Sequence, residues 1–172
     1  HKTSSAASDV YKRQPYHSQT QRRDIINITD FKVTPMQAFA QQVQEQPDQI
    51  YLRQPKGGVY TEYTWQQAYD MTLRLANALL AMGLKPGDRV ALLSGNCAEW
   101  FIADFAIVAA GMIPTPIYAT AGDDVIRYVV EHSESKAIFI GNVADTDMAL
   151  SATPKGVTTI SMADGPKGAE HA

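Results

Sequence analysis

Few residues in this chain have the type and spacing to do chemistry. Thr153-Pro154-Lys155-Gly156-Val157 joins a hydroxyl, a cation and a glycine, the ingredients of a phosphate-holding loop. A phosphate cradle, however, needs several flexible, hydroxyl-bearing residues whose successive amides can turn inward. The preceding stretch, Asp147 to Ala152, holds no glycine, so the pentad reads as a plain turn between helix and strand. Lys56-Gly57-Gly58 has no helix pattern behind it and reads as a hairpin turn. Glu99 and Asp104 are carboxylates on one helix, but at five-residue spacing they share a face poorly, so a place at the helix rim is expected for both. Cys97 sits where a helix starts, which favours a thiolate; with no histidine beside it in sequence, it reads as packing. His132 lies near a helix end, where its expected partner is the helix C-terminus. Trp100 is assigned to the core. Tyr118 and Thr120 follow a strand, the place where open α/β sheets take ligands. They are the two substrate-cleft candidates. No catalytic, cofactor-binding or metal-binding residue is assigned.

The elements that would position these residues follow from local pattern. Thr34-Pro35 starts a helix whose apolar face is Met36, Phe39, Ala40 and Val43, ended by Pro47. Ile50 to Leu52 and Val59 to Tyr63 flank the Gly-Gly turn as a hairpin. Thr64-Trp65-Gln66-Gln67 has capping-box form. Behind it Ala68, Met71, Leu75, Leu79 and Met82 make one stripe, with Ala76 and Leu80 beside it. Gly83 closes that helix, and Lys85-Pro86-Gly87-Asp88 is a turn. Val90 to Leu93 reads as a buried strand. Asn96 caps a helix to about Ala110 that is apolar on nearly all sides. Ile113 to Tyr118, with Pro114 and Pro116, reads as an edge-like strand. Asp123 caps a helix carrying Val125, Ile126, Val129 and Val130. A strand at 136–140, a weak helix at 143–150 and a strand at 157–161 complete the order. From residue 64 onward helices alternate with short apolar strands, which implies an α/β fold with a largely parallel sheet flanked by helices.

Composition bounds the partners. The 172 residues include 45% hydrophobic and 19% charged residues and have a net charge of −3, an ordinary globular balance. Residues 1–23 hold five basic residues against one acid, which is +4, so the remainder carries −7. An acidic body is a poor phosphate-backbone binder, which argues against nucleic acid. The single cysteine forms no internal disulfide, which fits a reduced, cytoplasmic setting. The most apolar stretch, Phe101 to Pro116, is too short for a transmembrane segment of about 20 residues. Gly-x-Gly-x-x-Gly is missing where the first buried strand runs into Ser94-Gly95-Asn96-Cys97-Ala98, so an ordinary dinucleotide fold is not indicated.

An ordered set of short motifs carries a family resemblance. It comprises Tyr63-Thr64-Trp65; Arg74-Leu75-Ala76 with Leu79; Gly83-Leu84-Lys85-Pro86-Gly87-Asp88-Arg89-Val90-Ala91; Asn96 with Glu99-Trp100; Ala110-Gly111; Pro116-Ile117-Tyr118 with Thr120; and Tyr128 with Glu131-His132-Ser133-Glu134. In this order and spacing the chain resembles the start of the AMP-binding domain of adenylate-forming, long-chain fatty acid acyl-CoA synthetases. The fold this resemblance implies is an incomplete N-terminal subdomain of the adenylate-forming enzymes. The activity it implies has two steps: a fatty carboxylate attacks the α-phosphate of Mg-ATP to give acyl-adenylate, and coenzyme A then displaces AMP. The implied requirements of a full-length enzyme are ATP, Mg2+, coenzyme A and a fatty acid, with peripheral membrane association. The family's phosphate loop, ribose-binding aspartate, metal-binding glutamate and catalytic lysine have no counterpart here, so the chain alone is expected to be inactive and to hold no cofactor.

The expected organisation is a non-native leader at 1–14, a polar lead at 15–30, the N-terminal part of an AMP-binding domain at 31–161, and a truncated linker at 162–172. Two alternatives stand beside the acyl-CoA reading: a piece of an amino-acid-activating domain, and a self-contained, non-catalytic α/β binding module.

Overall fold

The computed structural model describes residues 33–163 and 165–171. The expected leader and polar lead, residues 1–30, lie outside them.

Helix α1 spans Pro35–Glu45. Its start satisfies two orphan amides at once: Gln37 N donates to Thr34 Oγ1 at 3.2 Å, and Thr34 N donates to Gln37 Oε1 at 2.7 Å. Strands β1 (Ile50–Lys56) and β2 (Val59–Thr64) form an antiparallel hairpin. Gly57 and Gly58 turn it with φ of 59° and 81°, the two positive values that a tight type I′ connection demands. Helix α2 spans Trp65–Ala81, and Thr64 and Gln67 make the expected capping box. The apolar stripe lies differently from its sequence reading. The buried row is Ala68, Thr72, Ala76 and Leu79, whereas Leu80 and Met82 are exposed. Small side chains let α2 approach its neighbour helix closely, and that outweighs bulk in choosing the buried face.

Beyond the hairpin, four strands make a parallel sheet: β3 (Arg89–Leu93), β4 (Ile113–Ile117), β5 (Ala137–Ile140) and β6 (Thr158–Ser161). Their order is β4-β3-β5-β6. The connecting helices are α3 (Ala98–Ala109), α4 (Asp123–His132) and α5 (Thr146–Ala152). Alternate residues of each strand enter opposite layers. Val90, Leu92 and Phe139 pack against α2 and α3 through Leu79, Ala103 and Ile107. Ala91, Leu93, Ile138 and Ile140 pack against α4 and α5 through Ile126, Val130 and Ala149. A sheet covered on both faces explains why β3 and β5 read as unbroken apolar runs. A third cluster, centred on Phe39, Val43 and Ala68, joins α1 and the hairpin to α2 and α3.

Two helix starts differ from their sequence reading. The residue before α3 is Cys97, not Asn96, and its side chain makes no capping bond. Gln54 of β1 supplies the missing acceptor instead, taking Ala98 N at 2.8 Å. Helix α4 is preceded by Gly122, so Asp123 sits in the first turn with Asp124, where negative charge favours the helix dipole. Helix α3 is also less enclosed than its composition suggests, with Phe101 and Val108 exposed. Arg89 ties the end of α4 to the sheet. Its Nε donates to Ser133 O at 2.7 Å, and its guanidinium meets Glu134 Oε2 at 2.6 Å. After β6 the chain returns to its edge: Ser161 N donates to His171 O at 2.7 Å and His171 N to Thr159 O at 3.1 Å.

Candidate functional site

All four strands run in parallel, so their C-terminal ends gather on one rim. Three loops build it: Ser94–Cys97 after β3, Tyr118–Gly122 after β4, and Gly141–Asp145 after β5. The Tyr118 carbonyl accepts Ala121 N at 2.9 Å, which turns the second loop over the rim. Pro114 and Pro116 stand in β4, which is an edge strand among the described residues.

A cleft of about 590 Å³ opens between the β3 and β4 ends, walled by Ser94, Asn96, Trp100, Pro116, Tyr118 and Thr120. The two cleft candidates therefore lie on one concavity. Tyr118 is 88% exposed, which leaves its ring free for contact. Thr120 also borders a smaller hollow of about 200 Å³ beneath the β4–α4 and β5–α5 loops. Trp100 differs from its core assignment. It is half-buried, packs against the sheet core on one side and stands in the cleft wall on the other, with its ring 5.4 Å from Phe101 in an edge-on pairing.

The other tempting residues stay apart. Lys155 is exposed in a turn where Val157 N donates to Pro154 O at 3.3 Å. Glu99 and Asp104 do not form a pair: Glu99 borders the space between α2 and α3, and burial raises the Asp104 carboxyl above its ordinary value. Burial, the largest influence, also raises the Cys97 thiol, while the Trp100 backbone and the Ser94 side chain, whose Oγ lies 3.9 Å from Sγ, pull the other way. A thiol held protonated is a poor nucleophile, in keeping with packing. His132 ends α4 and stacks on Tyr128 with ring centroids 5.3 Å apart.

Sequence reasoning missed two features. Met71, Leu75 and Met82 line an apolar cavity of about 420 Å³ between α2, α3 and the sheet rather than the closed core. Ser94 and Asn142 bind the first and third rim loops together, with Asn142 N donating to Ser94 Oγ at 3.1 Å. Their only sequence signal is a polar, glycine-bearing pair directly after each central strand. Among the described residues no group of three or more His, Cys, Asp or Glu side chains could hold a metal ion, and no helix is long and apolar enough to cross a membrane.

An open parallel sheet covered on both faces, with loops and clefts on its C-terminal rim, defines an α/β domain of the class that takes ligands at that rim. Residues 39–171 match the AMP-binding enzyme family, and the chain belongs to that family. A long-chain-fatty-acid–CoA ligase of Mycobacterium bovis, FadD15, is 35% identical over 103 residues, covering 60% of this chain and 16% of that protein. Long chain acyl-CoA synthetase 1 of Arabidopsis thaliana is 35% identical over 107 residues, covering 59% and 16%. The solved N-terminal domain of FACL13 from Mycobacterium tuberculosis superposes with a TM-score of 0.63 at 24% identity, over 73% of this chain and 32% of that one. The fold is thus that of the N-terminal part of adenylate-forming enzymes. The chain spans about one sixth of the length of the curated relatives it matches.

Proposed function

We propose that this chain is the N-terminal part of an ATP-dependent, AMP-forming acyl-CoA synthetase that activates long-chain fatty acids. The observation that carries the reading is the 35% identity with long-chain fatty acid–CoA ligases within an AMP-binding family match. It favours the fatty acyl reading over an amino-acid-activating domain or a self-contained module. ATP, a fatty acid and coenzyme A are the substrates of this reading, with Mg2+ accompanying ATP. The setting is cytoplasmic, with peripheral attachment to membranes.

The described residues do not fit a holder of Mg-triphosphate. The cleft wall has no Lys or Arg, and the described acids form no metal-ligating group. The chain's own contribution is the sheet that fixes the rim, and a cleft in which Tyr118 and Thr120 meet an uncharged part of a substrate. Polyphosphate chemistry is left to the remaining five sixths of such an enzyme, and the isolated chain is expected to form no acyl-adenylate.

The test is a chimera in which residues 33–171 replace the matching segment of the Mycobacterium bovis ligase. It should retain palmitate-dependent exchange of pyrophosphate with ATP, and the isolated chain should show none above a blank. A folded chimera without exchange, or turnover by the isolated chain, refutes the reading.

A further inference from the structure

We infer that Ser94 is a positioning residue: its hydroxyl shuts the crevice between β3 and β5 and thereby fixes the wall of the cleft between β3 and β4. The functional weight of this inference rests on the cleft being the substrate site proposed above. In open α/β sheets a ligand ordinarily enters where neighbouring strands send their helices to opposite faces. Here that place lies between β3 and β5, since α3 packs on one face and α5 on the other.

That crevice is closed by a circuit of hydrogen bonds. Asn142 N donates to Ser94 Oγ at 3.1 Å, Ser94 Oγ donates to Gly95 O at 2.9 Å, and Gly95 N donates to Asn142 O at 2.9 Å. Beneath it, Gly141 N donates to Leu93 O at 2.9 Å. Ser94 is only 6% exposed, so these bonds exchange little with water. A β-carbon placed on Gly141 would lie 2.5 Å from Ser94 Oγ. The loops therefore touch with no room for a methyl group, and a substrate atom finds none either.

Closure on one side sets the geometry on the other. The circuit uses both faces of Gly95, its amide and its carbonyl, and so fixes the path of the chain into Asn96 and the first turn of α3. Asn96 and Trp100 are that side of the cleft wall, opposite Tyr118 and Thr120. A hydroxyl is required because the circuit needs one donor and one acceptor on the same short side chain.

The test compares Ser94→Ala with Ser135→Ala in a Trp65→Phe background, which leaves Trp100 as the remaining one of the chain's two tryptophans. Ser94→Ala should speed amide exchange at Gly95 and Asn142 by about five- to tenfold, with Ala91 and Ile138 unchanged. It should also raise acrylamide quenching of Trp100 about twofold, since the wall is no longer held. Ser135→Ala removes an equally buried hydroxyl at the other end of β5 and should change neither. Equal behaviour of the Ser94→Ala and Ser135→Ala variants, or unchanged quenching of Trp100 in Ser94→Ala, overturns the proposal. If Ser94→Ala does not fold, the unaltered chain decides: a scalar coupling across the Gly95 N to Asn142 O bond, with slow exchange at Asn142, supports the circuit, and its absence overturns it. None of these readouts uses a substrate, so a failed circuit is distinguishable from a failed ligase reading, which shows itself in pyrophosphate exchange.

Discussion

Replacing Phe39 by Ala should release α1 and the hairpin while leaving the parallel sheet folded. Phe39 is 3% exposed and sits among four rings. Its centroid lies 5.6 Å from Tyr51, 5.8 Å from Trp65, 5.9 Å from Tyr69 and 4.7 Å from Phe105. Those rings belong to β1, α2 and α3, so one side chain joins four elements. Truncating a buried Phe to Ala costs about 3–5 kcal/mol. The only other buried residue that α1 contributes is Val43, and a fully buried aliphatic side chain is worth about 1.5–3 kcal/mol. The loss therefore matches or exceeds what remains to hold α1. The two clusters of the sheet share no buried residue with this one. Native-state amide exchange is the assay. Exchange in α1 should accelerate by about 100- to 4000-fold, at 1.4 kcal/mol per decade, while amides of β3 and β5 keep their rates. Equal acceleration in β3 and β5 would show that the aromatic cluster and the sheet unfold as one unit, and would refute the reasoning.

Three further outcomes follow from single groups. Thr72 is fully buried with its hydroxyl unpaired, so Thr72→Val should stabilise by about 1–2 kcal/mol and raise the melting temperature by several degrees; a lower melting temperature counts against an unpaired hydroxyl. Gln54→Ala strips Ala98 N of its acceptor and should cost about 1 kcal/mol, as loss of a helix cap does, while Gln54→Glu, which keeps an acceptor there, should cost less; identical urea midpoints for the two variants would exclude the cap. Asp104 has its folded pKa raised by burial above the ordinary 3.8, so between the two values the folded state binds the extra proton and its stability falls as pH rises. Asp104→Asn should therefore be the more stable protein at pH 7, with the gain fading as pH drops through the raised folded value and gone below the unfolded one; a variant weaker than the parent at pH 7 would contradict burial as the cause.

Features decided within a few residues were legible in the sequence. The Thr64–Gln67 capping box, the Gly57-Gly58 turn and the alternation of helices with short apolar strands each depend on neighbours in the chain. The proline-bearing edge strand, and the placing of Tyr118 and Thr120 at a strand's end, were legible for the same reason. What distant residues decide was not. Cys97 precedes α3 without capping it because Gln54, 44 residues before Ala98, provides the acceptor. The buried face of α2 is Ala68, Thr72, Ala76 and Leu79 because α3 needs small residues to approach, and hydrophobicity alone ranks Met71 and Met82 above Thr72. The Ser94 circuit arises only once parallel pairing sets Leu93 beside Ile140, a register no local motif encodes.

The two prolines of β4 give the sheet an unequal pair of borders. Ile113 N points inward to Asp88 O at 2.9 Å, so residues 114 and 116, one step out of phase, face away from β3. Both are proline, and that border offers carbonyls without a single N–H between them. The opposite border, along β6, is already taken by the chain itself, since Ser161 N donates to His171 O and His171 N to Thr159 O. Among the described residues one border of the sheet is thus blocked by its chemistry and the other is filled, two different ways of keeping a sheet edge from pairing.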